Sequence, residues 1–198
     1  TMTVTITNTT PNACTFSTTL EFIVYVTPII NPVDPNLLVA CETEDPLAQD
    51  GIEIFDTSSF ENTIIGTQTN VDIAYFDANN NPIPNFIGAY ETGTQDVLVV
   101  LTNSNNTECE ATTVLSFVVN SKPIINAQGS DEVICTDTPN SSVVLNAGLV
   151  DEATITDFTY QWYLDNQAIT SANLYTFQAS TIGDYDVEVT NNVGCSSI

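Results

Sequence analysis

The chain has no histidine and a single basic residue, Lys122, in 198 residues. Each absence removes a chemistry. Without His, neither Ser-His-Asp nor Cys-His activation of a nucleophile has its base, and one Lys leaves few other proton carriers. Without a basic patch, nothing displaces the counterions around phosphate, so nucleic acid and anionic membrane surfaces are excluded as partners. No run approaches the roughly 20 apolar residues that cross a bilayer, so direct membrane insertion is excluded as well. Apolar residues at helical spacing are hard to find. P-loops, dinucleotide fingerprints and EF-hand loops are absent.

Carboxylates are abundant instead. Asp and Glu number 25, giving a net charge of −24. Hydrophobic residues make up 42% and charged ones only 13%, so the chain is a folded one with a Thr/Asn/Ser surface and scattered carboxylates rather than an acidic tail. Such a surface favours solubility and attracts hard cations.

The five cysteines, Cys14, Cys41, Cys109, Cys135 and Cys195, are too far apart for zinc-ligand spacing. Disulfides are the expected use, with buried free thiols as the alternative, and disulfides imply an oxidising, extracytoplasmic compartment. A repeat explains the odd count. VTITNTTPNACTFSTTLEFIVYVTPIIN aligns without a gap on VVLTNSNNTECEATTVLSFVVNSKPIIN at an offset of 95 residues (Val4 on Val99), placing Cys14 on Cys109 and repeating PIIN outright. Cys41 and Cys135 each follow a PIIN, and Cys195, preceded by Val189-Thr190-Asn191, takes the place of Cys109 and Cys14. The expected units are 1–31, the C-terminal hairpin of a truncated repeat; 32–125, a complete repeat; and 126–198, a repeat lacking its last strand. Pairing within each unit is the repeat-consistent choice: Cys41 with Cys109, Cys135 with Cys195, and Cys14 with an upstream cysteine.

Period-two alternation predicts strands. Leu20, Phe22, Val24 and Val26 alternate in the first unit, and Leu115, Phe117 and Val119 in the second; Val97, Val99 and Leu101 form another run. In the second unit 52–55 and 72–76 read as the strands called B and C in an immunoglobulin-like sandwich. In the third, 142–147 reads as B, 159–165 as C with Trp162 at the core, and 183–191 as F, with Tyr185 placed for a tyrosine corner and Ala147 and Val187 at the B and F core positions. Asn79-Asn80-Asn81-Pro82 and Asp165-Asn166 read as turns. The expected fold is all-β: tandem immunoglobulin-like β-sandwiches, one partial, one complete and one nearly complete.

These segments, TYQWYLDNQAI…GDYDVEVTNNVGC and CETEDP…GIEIFD…VDIAYFDANNNPIPN…VLVVLTNSNNTEC, resemble the immunoglobulin-like repeats of large Bacteroidetes cell-surface proteins, gliding-motility-associated adhesins and type IX secretion substrates. The resemblance implies an extracellular, cell-surface location and a disulfide-stapled stalk, spacer or adhesive module. Its partners would be neighbouring repeats, surface glycans or other surface and secretion proteins. The alternative is a carbohydrate-binding accessory module of a secreted enzyme.

No carboxylate pair stands out for two-carboxylate catalysis, so no catalytic residue and no enzymatic activity are expected. No cofactor-binding residue is expected either, and the one candidate cofactor is structural calcium. Its ligands would be Glu42, Glu44, Asp45 and Asp50 after one linker and Asp131, Glu132 and Asp137 after the next, since oxygen-only sets suit that ion. A solvated acidic face is the simpler reading. Thr1–Thr7 offers a hydroxyl face for ice or glycan, or simply the solvent side of a strand. Tyr75, Tyr90, Tyr163 and Tyr175 could stack on sugars, with core packing expected for Tyr75 and Tyr163.

Overall fold

The computed structural model describes residues 1–9, 11, 14–126, 133, 134, 141–150 and 152–198. Among these the chain is built of strands, with one short α-helix and two 3-10 turns. It is all-β, as composition and period predict.

β1 (Met2–Thr7) and β2 (Thr15–Leu20) form an antiparallel hairpin. Alternation puts Met2, Val4, Ile6, Phe16 and Leu20 on one face and only Thr and Ser hydroxyls on the other. The predicted strand through Phe22, Val24 and Val26 is not there: β2 ends at Leu20, and these three side chains are exposed. A strand exists only where a neighbour takes its hydrogen bonds. Among the described residues no strand pairs with 21–26, whereas in the equivalent stretch Ser116 and Phe117 pair with Asp96 and Gln95, and 118–120 with Val39–Cys41.

That stretch belongs to the middle unit. A 3-10 turn, Pro35–Leu38, capped by the Asp34 carboxylate on the Asn36 N–H (3.0 Å), leads into β3 (Val39–Cys41). Then follow β4 (Ile52–Asp56), α1 (Phe60–Ile65), β5 (Val71–Phe76), β6 (Ala89–Gly93), β7 (Gln95–Asn103) and β8 (Asn106–Asn120). One sheet has the order β3-β8-β7-β5, with β3 parallel to β8, and the second is β4-β6. The inward residues of β7 (Val97, Val99, Leu101) and β8 (Leu115, Phe117) meet Phe55 of β4 and Tyr90 of β6. Phe86 fills the centre, with its ring 4.0 Å from Tyr75 and 4.9 Å from Tyr90. Each such side chain contributes about 1.5–3 kcal/mol by leaving water. The helix α1 was not expected. Phe60 and Ile64, four apart, fall on one face and are fully buried in this core, and Gly66 (φ 63°) ends the helix.

The C-terminal unit repeats the plan on a smaller scale: β9 (Val143–Asn146), a 3-10 turn (Glu152–Asp157), β10 (Thr159–Leu164), β11 (Gln167–Ala168), β12 (Thr176–Ala179), β13 (Tyr185–Thr190) and β14 (Ser196–Ser197). The sheets are β11-β10-β13-β14 and β12-β9. Its core gathers Ala147, Leu149, Tyr160, Trp162, Ala172 and Val189. Trp162 is 2% exposed, donates its Nε1 hydrogen to the Leu174 carbonyl at 2.9 Å and stacks on Phe177. The Tyr185 hydroxyl donates to the Thr181 carbonyl at 3.0 Å, closing the expected corner. Val189, not Val187, is the fully buried residue of β13; Val187 is half-buried beside Trp162. Asp165 and Asn166 both adopt positive φ in the β10–β11 turn, as their chemistry predicts.

Candidate inter-domain junction

Cysteine geometry defines the junction between the two cores. Cys41 ends β3, opposite Asn120 at the C-terminal end of β8, whereas Cys109 lies near the N-terminal end of β8. Eleven residues of strand separate Asn120 from Cys109, about 35 Å at the usual rise. A disulfide needs Cα atoms within roughly 7 Å. The expected Cys41–Cys109 bond is therefore impossible in this fold. Cys41 instead bonds Cys195, Cα to Cα 5.6 Å, which also overturns Cys135–Cys195. Cys109 and Cys14 are free thiols, and Cys135 lies outside the described residues. Pairing within the middle unit fails because Cys41 and Cys109 sit at opposite ends of β8.

The bond joins two separate cores. On the middle-unit side, the Glu42 N–H donates to the Asn120 carbonyl (3.0 Å), holding the chain beyond Cys41 against the end of β8. On the other side, Cys195 closes the β13–β14 turn. The Asn191 N–H donates to the Cys195 carbonyl (3.0 Å), and its Oδ1 accepts from the Val193 and Cys195 amides at 3.2 and 2.9 Å. Asn favours this local bonding, and Gly194 supplies the left-handed backbone at φ 89°. The same Asn191 donates its Nδ2 hydrogen to the Ser121 carbonyl of the linker at 2.9 Å. One side chain thus shapes the turn, presents the cysteine and grips the neighbouring unit.

The linker 121–126 is held along its length. Gln49 donates to the Lys122 carbonyl (3.2 Å) and accepts from its amide (2.6 Å), while Lys122 Nζ donates to the Glu44 carbonyl (3.1 Å). Ser197 Oγ donates to the Pro123 carbonyl (2.8 Å), and the Asn126 amide to Gly148 (2.7 Å). These bonds exchange with water and add only about 1 kcal/mol each, but together they fix direction.

The calcium candidates do not converge. Among the described residues no three His, Cys, Asp or Glu side chains group as metal ligands. Asp45 and Asp50 spend their Oδ1 atoms on the Leu47 and Ile52 amides, at 2.8 and 2.9 Å. The carboxyl of Glu42 is buried, with Oε1 accepting from the Gly51 amide (2.6 Å) and Oε2 unpartnered. Glu44 meets the linker through its backbone carbonyl. Asp131, Glu132 and Asp137 lie outside the described residues. Nearby, the Ile54 amide, followed by Thr43, holds the Glu53 carboxyl below its ordinary range.

Two of the four candidate tyrosines are buried and two are part-exposed. Tyr75 is in the core as expected, and so is Tyr90, whose hydroxyl accepts from Gln95. Tyr163 is only half-buried, donating to Glu188 Oε2 at 3.0 Å, and Tyr175 packs edge-on against Tyr160. Sequence reasoning missed Gln49, Asn191 and Gly148 as junction residues. The Thr-Asn pair preceding each of Cys14, Cys109 and Cys195 was the signal for Asn191; isolated Gln49 and Gly148 carried none.

Residues 36–123 match the Flavobacterium inter-domain disulphide bond domain family. The match covers the middle unit from the 3-10 turn to the linker and so includes Cys41, and it fits a Bacteroidetes origin. No curated protein matches the chain.

Proposed function

We propose that this chain is a disulfide-stapled spacer of an extracellular, cell-surface array of immunoglobulin-like sandwiches, divided at 1–31, 32–125 and 126–198. The strand orders support the immunoglobulin-like reading. In both units the C-terminal hairpin (β7–β8, β13–β14) is extended beside its first strand by an earlier one (β5, β10), opposite a two-stranded sheet (β4-β6, β9-β12), with an aromatic residue in the core. The absence of His and the use of carboxylates as backbone caps support a non-enzymatic role. A charge of −24 with one cation keeps neighbouring arrays apart by repulsion. Adhesion would then belong to partners such as surface glycans or other surface and secretion proteins reached by the array.

The observation that carries this reading is the Cys41–Cys195 bond, whose sequence separation is 154. Under tension it is a shunt. A pull applied outside the two cysteines passes from β3 through the bond to the β13–β14 turn, and the enclosed residues cannot lengthen. Released, they would add roughly 500 Å of contour at 3.3–3.6 Å per residue. Single-molecule pulling on the oxidised chain by its termini should lack that extension, and the Cys41→Ala/Cys195→Ala chain should gain it. Equal contour lengths would end the spacer reading, and reproducible binding on a glycan array would favour the carbohydrate-binding alternative.

A further inference from the structure

Three cysteines each stand one residue before the partner of a hairpin threonine, Cys14 and Cys195 in the turn and Cys109 within β8 beyond a register shift. In β1–β2 Thr7 pairs with Thr15, in β7–β8 Thr102 pairs with Glu110, and in β13–β14 Thr190 pairs with Ser196. Each Thr is followed by Asn, and the residue just before each partner is Cys14, Cys109 and Cys195 in turn. The first two hairpins also share their register under the 95-residue offset: Met2 with Leu20 becomes Val97 with Leu115, and Ile6 with Phe16 becomes Leu101 with Ala111. Of the three cysteines, Cys195 is bonded, and to the early strand of the unit before it.

The contacts around these hairpins repeat too. Asn191 donates Nδ2 to the Ser121 carbonyl at 2.9 Å; Asn103, its counterpart, donates Nδ2 to the Val26 carbonyl at 2.9 Å, and Val26 is the residue that the offset places on Ser121. The PIIN asparagines also dock alike. The Asn126 amide donates to the Gly148 carbonyl and the Asn31 amide to the Ile64 carbonyl, and each asparagine lies against a glycine, Asn31 through its side chain on Gly66 and Asn126 through its backbone on Gly148. Gln68 grips the first linker through both backbone groups of Ile29, at 2.8 and 2.6 Å. The linker before the middle unit is therefore seated as the stapled linker after it is.

We propose that Cys109 is the receiving cysteine of a second inter-domain disulfide, whose partner is the early-strand cysteine of a preceding sandwich, with Cys14 its counterpart one repeat earlier. This rests on the spacer reading and extends it to a ladder in which each bond crosses one junction and none lies within a unit. Formation is thiol–disulfide exchange with a small-molecule disulfide. One thiolate attacks that disulfide and releases a thiolate; the second protein thiolate then displaces the other half. Two protein thiols become one disulfide, and the small disulfide is reduced to two thiols.

The test extends the full chain at Thr1 with a second copy of residues 32–95, which the offset places in frame to complete the sandwich of β1 and β2. The copy is marked by Thr43→Ser. After oxidation with a glutathione disulfide couple, non-reducing peptide mapping should find the marked Cys41 copy joined to Cys109 in most molecules, and unmarked Cys41 joined to Cys195. A marked peptide joined to Cys14, or an alkylatable Cys109 beside an intact Cys41–Cys195 bond, overturns the ladder alone. Loss of Cys41–Cys195 as well overturns the spacer reading beneath it. In the unextended chain, native alkylation should modify Cys14 and Cys109 and spare Cys41 and Cys195; a Cys14–Cys109 bond there refutes the proposal whether or not the extension folds.

Discussion

Replacing both bonded cysteines, Cys41→Ala/Cys195→Ala, should destabilise the C-terminal unit far more than the middle one. The magnitude follows from where Cys41 stands. While the middle unit is folded, Cys41 is fixed opposite Asn120 in the β3–β8 ladder. For unfolding of the C-terminal unit the relevant loop therefore runs not over the full separation but from Asn120 to Cys195, 75 residues apart. Chain entropy gives about 4.5 kcal/mol for closing a loop of that size. In a domain this small each kcal/mol moves the midpoint by about 4–8 °C, so the unit should melt roughly 20–35 °C lower without the bond. The middle unit keeps its core of aromatics and should shift by only a few degrees. Trp162 is the sole tryptophan and lies in the C-terminal core, so its fluorescence follows that unit alone while calorimetry follows both. Oxidised wild type, reduced wild type and the double variant make the comparison. A fluorescence midpoint that moves by less than about 5 °C, or two transitions that fall together, would refute the reasoning.

Other expectations are smaller in scale. The Tyr75 hydroxyl is buried without a partner, and burial pushes its titration upward, so Tyr75→Phe removes an uncompensated polar group. Urea unfolding should show the middle unit unchanged or more stable by about 1–3 kcal/mol, and a loss above 1 kcal/mol would contradict the packing. Gly148 has φ 67°, and an added Cβ would stand 2.4 Å from the Asn126 carbonyl oxygen. Gly148→Ala should cost the C-terminal unit about 1–3 kcal/mol in the same assay, and a silent substitution would mean that the linker does not dock there. In the turn after β5, the side chain and amide of Asn81, with the Asn79 amide, hold the Asp77 carboxylate below its ordinary value of 3.8. A lowered value means that the turn's contribution is complete above ordinary carboxylate pH and lost as pH falls through the lower figure. The Asn79 and Asn81 amide shifts should therefore titrate below 3.8, and a midpoint at or above that value would refute the capping.

Local chemistry was legible in the chain alone. Alternation in Val97, Val99 and Leu101 and the aromatic-rich segments around Phe76 and Trp162 were enough to place strands and cores, because a half-buried strand must alternate. The gapless repeat fixed the register of one hairpin on the other. Asp165-Asn166 declared a turn, because few residues tolerate left-handed backbone. The short helix α1 escaped, since two apolar residues four apart are too few to show a period.

The partner of each cysteine was beyond reach of the sequence. Repeat spacing identifies equivalent cysteines, but pairing depends on which pole of a sandwich each one occupies. Only the folded chain sets Cys41 at the end of a strand parallel to β8, a strand length away from Cys109, and turns the β13–β14 loop of the next unit toward it. Distance in three dimensions chose the bond, and a one-dimensional pattern contains no such distance.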